Sequence, residues 1–178
     1  MLYSYNGKAP VIDESCFISD SATIIGDVVM GPGCYVGPNA VVRADFLPIR
    51  IGSQVVIEDG VIVHAGGRGT MVVIGDRVTM GHGALVHAMR IGNDVGIGMG
   101  AIISLNTDLG DGCIIAEGAL VRQGQKVEAN TLVGGIPAKE LRPVEERDRI
   151  SWQRNTKWYT SMAKDLKDPE KFFRIDKL

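Results

Sequence analysis

A single periodicity governs most of this chain. Reading from Ile18 in steps of six gives Ile18, Ile24, Met30, Val36 and Val42. After three extra residues the series resumes at Ile51, Ile57 and Val63, and after a longer insertion at Ile74, Met80 and Val86. One five-residue step leads to Ile91, and Ile97, Ile103, Leu109, Ile115, Val121, Val127 and Val133 follow without a break. All nineteen anchors are Ile, Val, Leu or Met. Residues six apart fall on different sides of a helix, and an alternating strand needs a period of two. A six-residue unit suits a short strand and a bend, repeated round a solenoid whose anchors share one narrow core. Nine of the nineteen following positions are glycine, which permits backbone conformations that a side chain would penalise.

If three such units close one coil, the positions after the anchors form three vertical columns. One reads Gly31, Gly52, Gly75, Gly92, Gly110, Glu128, and a second Ser19, Gly37, Glu58, Gly81, Gly98, Ala116, Gly134. The third reads Ile25, Arg43, His64, His87, Ser104, Arg122 and contains no glycine. Neighbouring rungs lie about 4.8 Å apart, close enough for two imidazoles to share one metal ion. Ser104 and Arg122, further along the column, read as turn and surface residues.

The chain has three histidines, and the third, His82, shares a coil with His87 but sits on the adjacent face, across a corner of the prism. Both should project outward, so one subunit struggles to bring His82 to the His64/His87 pair. A three-fold oligomer resolves the geometry: His64 and His87 come from one subunit, His82 from its neighbour, and three equivalent sites form. Three neutral imidazoles with one position left for water make an open catalytic zinc arrangement, which lowers the pKa of the water to about 7. Asp59, one coil below His82, suits a carboxylate that orients an imidazole. Arg43 and Asp45 lie beside the stack.

The repeats resemble the left-handed parallel β-helix family of hexapeptide proteins, from Ile12 to about Ile136, and the handedness is carried by that resemblance. The nineteen hexads then make about six coils, a prism about 30 Å tall. Within that family, Val41-Val42-Arg43-Ala44-Asp45, Glu58-Asp59-Gly60 through His64, Gly81-His82-Gly83 through His87, and Gly134-Gly135-Ile136-Pro137-Ala138-Lys139 resemble the γ-class carbonic anhydrases. The resemblance implies a lyase in which His64, His82 and His87 bind Zn2+, with Fe2+ or Co2+ as alternatives. Arg43 and Asp45 form an interface and active-site ion pair, and Asp59 supports the site. Hydroxide on the metal then attacks carbon dioxide, and bicarbonate leaves. Glu58 stands where the family usually has glutamine, as a base or as a group that holds water. Val56 replaces a usual asparagine. Phe46 follows Asp45 where an acidic proton shuttle is found, and the loop Ala65–Thr70, with Arg68, carries no acidic shuttle. The segment Ser151–Tyr159 is similar to the C-terminal extension of hexapeptide proteins from phenylacetate-degradation and carnitine operons. That similarity adds two alternatives: an acyl-CoA thioesterase, or a catalytically silent accessory trimer. A hexapeptide acyltransferase is disfavoured, since a metal-bound histidine cannot also serve as a free base.

Composition divides the chain at about residue 138, giving a β-helix domain over 1–138 and a helical extension over 139–178. All 23 glycines precede 139, while the last 40 residues hold 19 of the 40 charged residues and both tryptophans. Val144 to about Leu166 reads as a helix, with Pro143 at its start, Asp168-Pro169 at its end, and a stripe of Ile150, Trp158, Met162 and Leu166 packed on the prism or a neighbour. Phe172 and Phe173 begin a short further segment. The balance of 19 basic and 21 acidic residues, 19 − 21 = −2, argues against a nucleic-acid partner. The longest uncharged run, Val28–Val42, has 15 residues with two prolines and three glycines, too short and broken to span a membrane. Met1 to Ile12 lacks a signal-peptide layout, so a cytoplasmic protein is expected. Cys16, Cys34 and Cys113 have no metal spacing and read as small core residues. Gly96–Gly100 and Gly66–Gly69 lack the context of a dinucleotide or phosphate loop.

Overall fold

A computed structural model gives the fold and describes residues 1–67, 69 and 71–172. Arg68, Thr70 and Phe173 lie outside the described residues. The chain is mainly β, a parallel β-solenoid of about seven turns followed by one helix among the described residues, α1 (Glu146–Leu166). No helix is long and apolar enough to cross a membrane among those residues.

The anchors stack in register as three ladders. On the first face Ile24, Val42, Val63, Val86, Ile103 and Val121 are successive partners. On the second they are Ile12, Met30, Ile51, Ile74, Ile91, Leu109 and Val127. On the third they are Ile18, Val36, Ile57, Met80, Ile97, Ile115 and Val133. Every anchor of the six-residue series is buried except Ile18, which is partly buried at the end of the stack. Each withdraws an aliphatic side chain from water, about 1.5–3 kcal/mol apiece. The solenoid exceeds the six coils expected because it begins before Ile18. Leu2–Tyr3 pairs with Ile24 and Ile25, and Val11–Ile12 with Val29 and Met30. The long step between those two strands breaks the rhythm and hides the first coil from a period count.

The glycines after the anchors have a different cause from the one expected. They are needed for clearance rather than for unusual dihedrals: a Cβ on Gly92 would lie 2.7 Å from the backbone nitrogen of Asp111 on the next rung. The left-handed conformation belongs instead to the third residue after the anchor, where the chain turns each corner, as at Asn39 (φ 58°) and Arg77 (φ 55°).

The residues just before the anchors point outward, and they distinguish the faces. The second face mixes apolar and charged side chains, Val11, Val29, Arg50, Val73, Arg90, Asp108 and Lys126, with all three valines exposed. The third presents Phe17, Tyr35, Val56, Thr79 and Ile114, all buried, and α1 contacts its Phe17–Ile18, Tyr35–Val36, Val56–Ile57 and Thr79–Met80 strands. The first presents Val41, Ile62, Leu85, Ile102 and Leu120, with Ile62 40% and Ile102 43% exposed. Among the described residues nothing covers Ile62 and Ile102.

The extension first caps the prism: Lys139–Pro143 pairs antiparallel with Thr131–Gly134 on the last rung. Helix α1 starts two residues later than expected, because Asp148 accepts the Glu145 N–H at 2.9 Å and pairs with Arg142 at 2.6 Å, fixing the N-terminus there. The expected stripe divides within one chain. Ile150 is 47% and Trp158 60% exposed, whereas Thr156, Tyr159 and Ala163 are buried and Met162 and Leu166 pack beside them. Steps of four residues drift about 40° each around a helix of 3.6 residues per turn, so the stripe from Ile150 to Leu166 winds off the contact face. The three cysteines are free and buried, as expected.

Candidate functional site

The first face carries the candidate site. Parallel, in-register stacking converts a sequence separation of about twenty residues into vertical contact, and Arg43 is the direct partner of His64. His64 and His87 sit on successive rungs with ring centroids 5.1 Å apart and planes at 83°. Their facing nitrogens, Nδ1 of His64 and Nε2 of His87, are 3.1 Å apart.

Asp45 reaches this pair through an irregularity of its strand. Between the partners Gly26/Ala44 and Val28/Ile49 the strand Val41–Ile51 carries extra residues, the three-residue insertion of the sequence, which bulge outward with Phe46 at 71% exposure. Gly26 (φ 81°) makes this bend possible, since a Cβ there would meet the Ala44 carbonyl oxygen at 2.3 Å. Asp45 Oδ1 then lies 3.0 Å from His64 Nε2, and Asp45 Oδ2 lies 3.5 Å from Arg43 Nε. With Nε2–H donating to the carboxylate, His64 Nδ1 keeps a free lone pair directed at His87. Arg43 Nη2 lies 3.1 Å from the same His64 Nε2, so the guanidinium and the carboxylate compete for that nitrogen. Burial, then the neighbouring His64 and Arg43, hold the His87 imidazole below its ordinary pKa, which favours the neutral, ligating form.

His82 belongs to a different cluster within this chain. Its backbone N–H donates to Glu58 Oε2 at 3.1 Å, and its ring Nε2 lies 3.2 Å from the same oxygen. The Glu58 side chain is only 5% exposed, and its other oxygen accepts from Asn155 Nδ2 of α1 at 3.0 Å. The Tyr159 hydroxyl stands 3.4 Å from His82 Nε2. Burial, with the Glu58 and Asp59 charges behind it, pushes that phenol up to about 12. Asp59, expected to support His82, is exposed, and the carboxylate against His82 is Glu58's. Asn155 and Tyr159 were missed as site residues; their signal was the i, i+4 spacing beside the buried Thr156 and Ala163.

Within one chain the structure therefore brings together Arg43, Asp45, His64 and His87, and separately Glu58 and His82. Among the described residues no single-chain group of three or more His, Cys, Asp and Glu is placed to hold a metal. The His64/His87 pair nevertheless fits two ligands of one ion. Imidazoles at about 2.0–2.1 Å from a tetrahedral zinc put their nitrogens about 3.3 Å apart, close to the 3.1 Å observed.

Stacked hexads, a capping helix and this outward histidine column define a hexapeptide-repeat β-solenoid, and residues 9–44 match the family described as bacterial transferase hexapeptide (six repeats). More narrowly, the chain belongs to the hexapeptide family of the carnitine operon protein CaiE. It is 35% identical to the Salmonella agona protein over 164 residues, covering 90% of this chain and 81% of that one. The Escherichia coli strain K12 protein is 35% identical over 162 residues, covering 90% and 82%. Among solved structures, a Bacillus cereus protein provisionally described as an acetyltransferase superposes with a TM-score of 0.88 at 37% identity, covering 92% of this chain and 94% of that one. A Vibrio cholerae hexapeptide-repeat acetyltransferase, solved with acetyl coenzyme A, superposes with a TM-score of 0.54 at 27% identity, covering 65% and 70%.

Proposed function

We propose that this protein is a metal-dependent, γ-carbonic-anhydrase-like enzyme that works as a homotrimer and interconverts carbon dioxide and bicarbonate at sites shared by adjoining copies. The observation that carries this reading is the outward imidazole pair, 3.1 Å between nitrogens and backed by Asp45. His64 and His87 of one copy and His82 of the next would hold a zinc ion, or iron or cobalt, since supply and geometry select among these metals more than affinity does. When bound, such an ion supplies Lewis acidity and brings the deprotonation of water near neutral pH. The bare apolar column of Ile62 and Ile102 beside the pair supports a neighbouring copy there, because a monomer gains nothing by exposing it.

The chain's own residues divide the remaining work. Asp45 accepts the His64 Nε2 proton and fixes the tautomer and angle of the ring. Arg43 offers a half-exposed guanidinium beside the pair, able to hold an anionic product such as bicarbonate. Glu58, clamped by Asn155 and the His82 backbone, is a buried carboxylate placed to accept a proton or position a water beside His82.

A second reading, attack on an acyl-CoA thioester, draws support from the Vibrio cholerae relative solved with acetyl coenzyme A. Both reactions need an activated water or nucleophile at an electrophilic carbonyl carbon. Stopped-flow hydration of carbon dioxide by the metal-loaded protein, run beside a panel of acyl-CoA esters, separates them. Hydration upholds the first reading. Thioester turnover alone moves the assignment to the second, and inertness towards both leaves a metal-stabilised accessory trimer. Glu58→Gln restores the residue usual in carbonic anhydrases and is expected to raise hydration if the carboxylate holds water too tightly. An unchanged rate clears Glu58 of that effect.

A further inference from the structure

A cleft of about 620 Å³ opens along the flank of α1 turned away from Glu58 and His82. It contains none of the histidines, Arg43 or Asp45. One wall is a corner of the prism, where Gln54, Arg77, Asp94, Gly112 and Asn130 stack on successive rungs. Four rung spacings make this wall about 19 Å long. The facing wall is α1, which contributes Arg149, Gln153 and Lys157 at four-residue intervals. Between the walls lie Val95, Ile114 and the indole of Trp152.

The indole is seated by an absent side chain. A Cβ on Gly96 would come within 2.5 Å of the Trp152 ring, so glycine at that position lets the ring rest against the sheet while it also lines the cleft. The ring N–H has no partner among the described residues, yet no buried side-chain nitrogen or oxygen is left unsatisfied. That N–H is therefore open to solvent or to a ligand.

The charges of the cleft are asymmetric. Both of its carboxylates are occupied: Asp94 by Arg77 in a two-pronged pair at 2.7 and 2.8 Å, and Asp111 by the Asn93 N–H at 3.0 Å and Arg90 at 3.4 Å. Arg149 is held towards the cleft by Asn130 at 3.2 Å. The Lys157 ammonium forms no ion pair or hydrogen bond among the described residues. Arg149 also pairs with Glu146 at 3.6 Å, so the cleft joins an aromatic plane to one unspent cation, Lys157, about 7.5 Å of helical rise from Trp152.

We propose that this cleft binds a nucleotide, with the base against Trp152 and the phosphates at Lys157. A planar ring alone would leave the Lys157 ammonium unused, and a bare phosphate would leave the indole and apolar floor unused.

The test uses the full-length protein with ADP as probe. Trp158→Phe leaves Trp152 as the only one of the two tryptophans, so its fluorescence reports on the cleft, with calorimetry as an independent readout. Saturable ADP binding is expected, with adenosine and inorganic phosphate each weaker by about tenfold or more. Lys157→Ala, at an exposed position outside the histidine site, is expected to weaken ADP about tenfold while leaving the circular dichroism and metal content unchanged. No saturable ADP signal up to about 5 mM, a concentration at which even a weak site fills, would overturn the assignment. So would equal affinity for phosphate or adenosine alone, or unaltered ADP binding by Lys157→Ala.

Discussion

Two faces of the prism turn uncharged columns outward, and they meet different fates. On one, Phe17, Tyr35, Val56, Thr79 and Ile114 lie beneath α1 or beside it and are buried. The helix fits that face through its own chemistry: Tyr159 packs on Tyr35 at 4.9 Å between centroids, Thr156 bonds Thr79 at 2.7 Å, and Trp152 occupies the space Gly96 vacates. On the other, Ile62 and Ile102 stay uncovered beside His64 and His87. The one described helix covers the third face, and no described segment covers Ile62 and Ile102 on the first. Covering apolar surface with the chain itself is a matter of folding, whereas leaving it bare beside a pair of outward imidazoles suits the interface between copies proposed above.

The sharpest way to break this contrast is Ile102→Asp. A charge in the middle of the bare face should abolish assembly and leave a folded monomer, read by light scattering with circular dichroism as control. An oligomer that survives it removes the bare face from the interface. On the covered face the expected cost is large but different in kind. Tyr159→Ala should lower the unfolding free energy by about 3 kcal/mol through the cavity it leaves against Phe17 and Tyr35, measured by urea denaturation. It should also loosen the contact to His82.

A smaller effect tests how α1 is anchored. Arg142, and then the Glu145 N–H, hold the Asp148 carboxyl down at about 2, below its ordinary 3.8. A depressed carboxylate stabilises the fold above its unfolded pKa, and that contribution disappears as pH falls through the folded value. The melting temperature should therefore gain an extra acid dependence between about pH 4 and pH 2, which Asp148→Asn removes. The smallest change is expected at Trp158, which is 60% exposed. Trp158→Ala should shift stability by less than about 0.5 kcal/mol, and a larger loss would place this residue against a neighbouring copy.

The solenoid was legible because its rule is local: an aliphatic anchor every six residues fixes the core wherever the chain goes, and insertions only interrupt the count. The order Arg43, His64, His87 was legible for the same reason, since parallel stacking in register turns a repeat number into a position in space. What stayed hidden depended on contacts that no period encodes. Asn155 reaches Glu58, and Tyr159 reaches His82, only because α1 folds back along the third face. The buried face of α1 was only half legible, Met162 and Leu166 but not Tyr159, because a four-residue step resembles helical spacing over one turn and departs from it over four. The first coil was missed because its strands lie before the rhythm begins.

The central claim is that a site takes His64 and His87 from one copy and His82 from another. Metal content of trimers assembled from a mixture of His64→Ala and His82→Ala subunits tests it most directly. Each variant alone should carry little metal, while mixed trimers should regain it, since an interface between the two kinds of subunit can present all three native imidazoles. Mixed assemblies as empty as their parents, or a His82→Ala protein that keeps its full metal content, would contradict the account.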